Sequence, residues 1–146
     1  MINIICVGKI KENYLKEMIE DYYKRISKYH KINIIELKDE NDIDIESQNI
    51  IKTIRVDHYV ILCDLSGEQY SSIKFAESID LLFTTGKSII DFVIGGSDGV
   101  NEQVIERADK TISVSKMTFP HGLFRVILLE QIYRGFKILN NETYHK

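Results

Sequence analysis

Three loops of this chain carry the residue types that commonly bind ligands. They read CDLSGEQYSS (63–72), IGGSDGV (94–100) and SKMTFPHG (115–122), and each follows an apolar segment of strand character. Glycine lets the backbone approach a ligand closely or adopt positive φ. In an open α/β sheet, ligands bind beyond the carboxyl ends of the strands, at such loops and at helix N-termini. The three loops are therefore the candidate binding site.

None of these loops matches a common catalytic or phosphate-binding motif. The glycine loop has the spacing GGxxG, and neither GxGxxG nor GK[ST] is present. Ser71 and Ser72 do not lie in a GxSxG elbow, so helix capping is the better interpretation of these serines. A glycine turn between a strand and a helix is more often structural than ligand-binding. The loop motif alone leaves both interpretations open.

The histidines and cysteines do not have the spacing of a metal site. There is no HxH, HExxH or CxxC pattern. We therefore expect no metal and no disulfide, Cys6 and Cys63 as buried thiols, and His30 and His58 as ordinary surface residues.

Two histidines lie close to the candidate site or at the chain end. His121 follows Pro120 at the start of the last predicted helix, where a capping or structural role is as plausible as chemistry. His145 lies between Tyr144 and Lys146 in a polar, aromatic and basic tail that has no evident packing role. Chain ends are usually frayed, but this composition makes the tail a candidate for chemistry.

Alternating strand and helix patterns position these loops. Most of the predicted strands are apolar on both faces, which predicts a mainly parallel sheet with helices on both faces in one α/β domain over 1–146. The predicted strands are 2–8, 31–37, 58–65, 87–96 and 111–115. The predicted helices are 14–29, 47–55, 73–85, 101–109 and 121–139, with an acidic loop at 38–47 and a turn at 66–72.

The last predicted helix is apolar over most of its circumference, more than one sheet face requires. It is either deeply buried or packed on its own sheet and on a partner subunit. Arg125, Glu130 and Arg134 interrupt its apolar surface, and the last two are spaced for an i, i+4 ion pair.

Composition excludes several classes of protein. The 146 residues are 44% apolar and 28% charged, and no apolar run approaches the 18 or more residues of a membrane span. The apolar N-terminal run is too short for a signal peptide, which favours the cytoplasm. The formal net charge of −3 argues against a strongly basic nucleic-acid binder, although residues 107–146 carry seven Lys and Arg against three Asp and Glu.

Taken together, the motifs resemble one family. FVIGGSDG, SVSKMTFPHGLFRVILLEQIYRGFKI and the terminal YHK resemble the ribosomal RNA large subunit methyltransferase H family. These small SPOUT-class enzymes methylate N3 of a pseudouridine in 23S rRNA. The resemblance covers essentially the whole chain, with two departures: relatives commonly have leucine at the position of Cys63 and proline at that of Thr143.

The resemblance implies a fold, a cofactor and a set of site residues. The fold is a SPOUT-type α/β domain with a C-terminal trefoil knot, which general rules of chain topology would not predict. The partners are a second copy in a homodimer and the 23S rRNA of the assembled ribosome. S-adenosylmethionine would be the methyl donor, and its contacts carry over to Cys63, Gly95, Val114, Ser115, Lys116, Met117, Thr118 and Phe119.

The chemistry that the resemblance implies needs no metal, because the donor already carries an electrophilic methyl group. We expect alignment of the methyl with the acceptor nitrogen to dominate, and we expect His145, with Tyr144 and Arg125, to orient the base and assist loss of its proton. Two alternatives remain at this point. One is a SPOUT methyltransferase acting on tRNA, and the other is a non-catalytic dimeric module that binds a ligand through IGGSDG.

Overall fold

The computed structural model describes residues 1–146 and alternates five strands with five helices. The strands are β1 (Ile2–Val7), β2 (Ile32–Leu37), β3 (Tyr59–Gln69), β4 (Ile90–Ile94) and β5 (Lys110–Ser113). The helices are α1 (Asn13–Ser27), α2 (Ile43–Thr53), α3 (Ser72–Thr84), α4 (Glu102–Arg107) and α5 (His121–Leu139). Every predicted strand and helix is present.

All five strands form one parallel sheet in the order β2-β1-β4-β3-β5. Alternate residues of each strand face opposite sides, and each side is covered by its own apolar cluster. Ile4 and Phe92 belong to the larger cluster with residues of α1, α3 and α5. Val60 and Val93 belong to the smaller one with residues of α2 and α4. The predicted parallel sheet with helices on both faces is confirmed.

Helix α5 packs between α1 and α3 on the larger cluster. Eight of its nineteen residues are buried, including Val126, Leu129 and Ile132. Gly135 lies against Ala76 of α3, at a distance that leaves room for a methyl group. The deep burial of α5 within one chain explains much of its apolar character.

The start of α2 and the end of β3 differ most from the sequence prediction. Helix α2 begins inside the predicted acidic loop, because the Asp42 carboxylate accepts hydrogen bonds from the backbone N–H groups of Asp44 and Ile45 at 2.9 and 3.1 Å. Strand β3 continues through the predicted turn to Gln69. Its pairing with β5 shifts there, so that both Cys63 and Glu68 lie opposite Ile112.

A glycine permits this shift of register. A Cβ atom at Gly67 would lie 2.4 to 2.6 Å from the backbone of Ile112, so only glycine fits. Ser71 ends the strand region and caps α3, accepting a hydrogen bond from Lys74 N at 3.1 Å, as predicted.

The prediction that His30 and His58 are ordinary surface residues is wrong. The Met1 ammonium lies 2.8 Å from His30 Nε2, and the His30 ring lies 4.4 Å from the ring of Phe83. His58 Nδ1 lies 2.8 Å from Asp91 Oδ2, and the side chain is only 9% exposed. Both histidines lie at element edges, where partners distant in sequence cover them.

Candidate active site

The three ligand-type loops meet at one cavity at the carboxyl ends of β3, β4 and β5. The cavity has a volume of about 460 Å³, within the range of small-molecule sites. The glycine loop and the loop before α5 both line it, and Phe124 of α5 contributes from the helix. The first loop contributes only Cys63, Asp64 and Leu65, because its remainder continues as β3.

Most of the predicted donor contacts line this cavity. They are Cys63, Gly95, Val114, Ser115, Met117, Thr118 and Phe119. Lys116 is exposed and does not line the cavity, although both of its neighbours do. Asp64 and His121 also line it and were not among the predicted contacts. Both could have been named from the sequence, because they lie in the same loops as the predicted contacts.

The glycine turn is tightly folded. Gly99 adopts φ +81° and its N–H donates to the Gly96 carbonyl at 3.0 Å. A Cβ atom at Gly95 would lie 2.9 Å from the carbonyl carbon and oxygen of Gly99. The close approach of Gly99 therefore requires glycine at position 95. The turn also leaves backbone polar groups at the cavity wall.

The loop before α5 is held by its own serines. Ser113 Oγ donates to the Ser115 carbonyl at 2.7 Å, and Ser115 Oγ accepts from Met117 N at 2.9 Å. Pro120 follows with φ −55° and leads directly into α5. This arrangement turns the chain over the cavity before the helix begins.

Cys63 presents a neutral thiol to the cavity. Burial, and then the nearby Asp64 carboxylate, raise its pKa to about 12. The thiol is therefore protonated at neutral pH and offers an apolar surface rather than a nucleophile. A leucine at this position would offer the same kind of surface.

The C-terminal tail is folded back onto α5. Tyr144 Oη donates to Glu130 Oε1 at 3.1 Å, and its ring lies edge-on to Tyr133 with centroids 5.0 Å apart. The Arg134 guanidinium lies 4.8 Å from the centre of the Tyr144 ring and pairs with Glu130 at 2.6 Å. These contacts hold the tail in place, and the predicted Glu130–Arg134 pair is confirmed.

Burial, and then the Glu130 carboxylate, raise the pKa of Tyr144 to about 12. Tyr144 is therefore a neutral hydrogen-bond donor throughout the physiological pH range.

The contact between Arg134 and His145 determines which ring nitrogen carries the proton. Arg134 Nη1 lies 3.1 Å from His145 Nδ1. A guanidinium can only donate, so Nδ1 accepts and the neutral ring carries its proton on Nε2. His145 thus presents an N–H donor on the side away from α5.

The structure does not bring Arg125 to the tail. Arg125 is 2% exposed, its Nη1 lies 2.6 Å from Glu36 Oε2, and its Nη2 donates to the Gly8 carbonyl at 3.1 Å. It precedes Arg134 by nine helical positions, which corresponds to opposite helix faces and about 13.5 Å along the axis. Arg125 therefore belongs to the ends of β1 and β2, whereas Tyr144 and His145 belong together on the other side.

The tail contacts α5 at positions beyond the one that lines the cavity. Phe124 lines the cavity and Arg134 contacts His145, and these two residues are ten positions apart in α5. Ten helical residues span about 15 Å. One chain therefore presents a cavity and a polar tail at separate places along α5.

No group of three or more His, Cys, Asp and Glu side chains is arranged to hold a metal ion. None of the helices is long and apolar enough to cross a membrane.

A parallel sheet with a glycine-lined cavity at its carboxyl edge, closed by the chain leading into a C-terminal helix, fits the SPOUT class of methyltransferases. The family model described as "Predicted SPOUT methyltransferase" matches residues 1–145, and the chain belongs to this family.

Relatives that match over their full length indicate which methyltransferases of the SPOUT class this chain resembles. Ribosomal RNA large subunit methyltransferase H of Clostridium botulinum (strain Kyoto / Type A2) is 51% identical, and the alignment covers 99% of both chains. The protein of that name from Clostridium kluyveri (strain ATCC 8527 / DSM 555 / NBRC 12016 / NCIMB 10680 / K1) is 47% identical with the same coverage. The family resemblance identified from the motifs is thereby confirmed.

A solved structure agrees with the fold. A probable methylase family protein from Haemophilus influenzae Rd KW20 superimposes with a TM-score of 0.57, covering 99% of this chain and 70% of that one. The sequences are only 15% identical, so the likeness concerns the fold alone. The trefoil knot implied by the family stays a prediction.

Proposed function

We propose that this protein transfers a methyl group from S-adenosylmethionine to N3 of a pseudouridine in the 23S rRNA of the assembled ribosome. The observation that carries the proposal is the convergence of seven predicted donor contacts on one cavity of about 460 Å³. The chain's full-length similarity to proteins named ribosomal RNA large subunit methyltransferase H supports the RNA substrate.

The residues of the cavity fit this donor. S-adenosylmethionine is a mixed ligand, with an aromatic base, a sugar and a charged amino-acid end. Leu62, Ile94 and Phe119 offer apolar surface, the glycine turn offers backbone hydrogen-bonding groups, and Asp64 offers a carboxylate for a cationic group. The bound donor supplies an electrophilic methyl group on a sulfonium, so the protein must mainly position the acceptor.

The tail provides the groups that we assign to the acceptor base. N3 of a uracil ring lies between two carbonyl groups, and loss of its proton spreads negative charge onto the carbonyl oxygens. The Nε2–H of His145 is suited to donate a hydrogen bond to such an oxygen and to stabilise that charge as it develops. Tyr144, held by Glu130, and Arg134 keep the histidine ring oriented.

Arg125 has a different role in this proposal. Its side chain is 3% exposed and its hydrogen bonds go to Glu36 and Gly8. A group so completely enclosed supports the site by holding the ends of β1 and β2 against α5. We therefore assign Arg125 as a positioning residue and keep Tyr144 and His145 as the candidates for chemistry.

The separation of cavity and tail supports a homodimer. Phe124 of the cavity and Arg134, which contacts His145, lie about 15 Å apart along α5, and a second copy would bring a tail to each cavity. Exposed apolar residues lie in α1, in α5 and in the loop before α5, as expected of a surface that another copy covers. They are Tyr14, Met18, Val114, Met117 and Leu123.

The charge of the protein supports an assembled ribosome as the substrate. A net charge of −3 gives little attraction for free RNA, because affinity for a nucleic-acid backbone comes from Lys and Arg contacts with phosphates. Shape complementarity to the ribosome would supply the rest of the binding free energy. The enzyme would work in the cytoplasm. We expect weak activity on protein-free rRNA.

The direct test is methyl transfer from labelled S-adenosylmethionine to ribosomes that lack the modification, followed by mass mapping of the RNA. We expect label on a single pseudouridine of the large-subunit RNA. Protein-free rRNA and total tRNA serve as parallel substrates. Label confined to tRNA would favour the tRNA alternative, and donor binding without transfer to any RNA would favour the non-catalytic module.

A further inference from the structure

The loop that joins β1 to α1 borders the donor cavity without belonging to it. Val7, the last residue of β1, lies 3.4 Å from the position that a Cβ atom of Gly96 would occupy. On the other side of the loop, a Cβ atom at Gly122 would lie 3.2 Å from Ile10. The segment Gly8–Glu12 therefore runs between the glycine turn and the start of α5.

The ion pair between buried Arg125 and the partly exposed Glu36 holds this loop in one conformation. Glu36 Oε2 accepts from the backbone N–H of Ile10 at 3.3 Å as well as from Arg125. Arg125 also donates to the Gly8 carbonyl, and Gly8 N donates to the Leu37 carbonyl at 2.7 Å. Three backbone groups of the loop are thus fixed by α5 and by the end of β2.

The loop presents two exposed cations, Lys9 and Lys11. Neither lysine has a carboxylate within ion-pair distance, whereas Glu36 is already neutralised by Arg125. The nearest acidic residue in sequence is Glu12, which is exposed and forms no ion pair. Across the cavity, Lys116 is exposed and likewise unpaired. Free positive charge therefore flanks the cavity on two sides of a protein that is acidic overall.

We propose that Lys9 and Lys11 bind the phosphate backbone of the RNA next to the target nucleotide. This inference rests on the proposed function and names the surface through which the substrate is held. The lysines are exposed and do not converge on an enclosed space, so they suit an extended polyanion rather than a small phosphate ligand. Because the loop is already ordered, binding needs to order only the side chains.

The test compares two double variants with the same change in charge. Lys9→Gln/Lys11→Gln removes the proposed contacts. Lys28→Gln/Lys31→Gln removes two exposed, unpaired lysines at the opposite end of the sheet, around the start of β2. For both variants and the wild type, KM for modification-free ribosomes, kcat and the dissociation constant of S-adenosylmethionine are measured at several salt concentrations.

We expect Lys9→Gln/Lys11→Gln to raise KM for ribosomes on the order of tenfold. The salt dependence of this variant is the slope of log KM against log salt concentration. This slope should fall by about 1.5, because each lost phosphate contact removes about 0.7 to 0.9 from it. Donor affinity and kcat should not change. Lys9→Arg/Lys11→Arg should restore KM, because the charge is retained.

Two results would overturn the inference. One is a KM and salt slope equal to those of the Lys28→Gln/Lys31→Gln control. The other is donor affinity that weakens together with KM, which would mean that the loop shapes the cavity instead of binding RNA. Failure of the wild-type protein to methylate ribosomes at all would overturn the proposed function, so the two failures are distinguishable.

Discussion

At the residue scale, the absence of a side chain at Gly95 allows one wall of the cavity to form. Gly95 follows β4 directly, and the chain returns at Gly99 so closely that a Cβ atom on Gly95 would lie 2.9 Å from the backbone of Gly99. Backbone atoms cannot move aside as the end of a flexible side chain can. The turn must therefore open if any other residue occupies position 95.

We predict that Gly95→Ala weakens binding of S-adenosylmethionine by about tenfold or more, equivalent to about 1.4 kcal/mol. The physical reason is displacement of the glycine turn from the cavity wall. Isothermal titration calorimetry measures the effect directly. Unchanged donor affinity would contradict the assignment of this turn to the donor cavity.

Gly135→Ala is the matched control for this prediction. The nearest atoms to a Cβ there are Cα and Cβ of Ala76, both at 3.6 Å, an ordinary contact. Replacing glycine by alanine in a helix interior should stabilise the protein by about 0.5 to 1 kcal/mol. Donor affinity should remain that of the wild type.

His145 is the second residue whose role can be isolated. We predict that His145→Ala lowers the single-turnover rate of methyl transfer by roughly 10²- to 10³-fold. This is the usual cost of losing one hydrogen-bond donor to a developing negative charge. Affinity for S-adenosylmethionine should be unaffected, because we assign His145 to the acceptor base and not to the methyl donor. Rapid-quench measurement with saturating ribosomes checks both statements, and a full single-turnover rate would remove His145 from the mechanism.

At the element scale, the ends of β1 and β2 depend on a single side chain from α5. Arg125 contacts both strands through Gly8 and Glu36, and its own Nε atom is buried without a hydrogen-bond partner. The contacts of Arg125 with both strand ends stabilise one position of α5 relative to the sheet. Removal of the arginine leaves Glu36 without its partner.

We predict that Arg125→Met lowers the free energy of unfolding by about 1 to 3 kcal/mol. Urea denaturation at neutral pH measures this change, and Glu36→Gln in a double-mutant cycle isolates the pair. A positioning role requires a clear loss of stability. Unchanged stability with a lost transfer rate would instead return Arg125 to the catalytic group.

At the scale of the whole molecule, the proposed function brings the tail of a second copy to each cavity. If the tail of one subunit completes the cavity of the other, each active site contains residues from both chains. An isologous dimer then has two such sites related by its two-fold axis.

We predict that mixing His145→Ala subunits with Gly95→Ala subunits, each impaired in its own homodimer when S-adenosylmethionine is subsaturating, restores methyl transfer. Random exchange makes half of the dimers mixed, and each mixed dimer has one intact site, so about one quarter of wild-type activity should return. Co-expression with two affinity tags isolates the mixed dimer. No recovery from a verified mixed dimer would show that tail and cavity act within the same chain, and sedimentation would test the dimer itself.

Much of this organisation could be predicted from local patterns. Continuous apolar runs such as INIICV and IDFVI predict buried parallel strands, because the nature of a strand depends on its own side chains. The loops meet at the carboxyl edge because parallel strands all end there. The family followed from motifs, and seven of the eight donor contacts that the resemblance implies line one cavity, whereas Lys116 does not.

Other features depended on partners far along the chain. The shift at Gly67 exists because β5 crosses it, and His30 and His58 are enclosed by Phe83 and Asp91, residues 53 and 33 positions away in the sequence. Arg125 finds Glu36 across 89 positions and therefore lies apart from the tail with which the motifs grouped it. Local patterns carry no information on such pairs.

The sequence by itself determined the alternation of strands and helices, the three ligand loops and the family, because each of these is written in neighbouring residues. Only the tertiary structure decided that Arg125 contacts the ends of β1 and β2, that His145 contacts Arg134, and that the tail folds back onto α5 at Glu130 and Arg134. Each of these contacts depends on how α5 packs between α1 and α3. That packing brings together residues that are far apart in the sequence, and local patterns do not relate such residues.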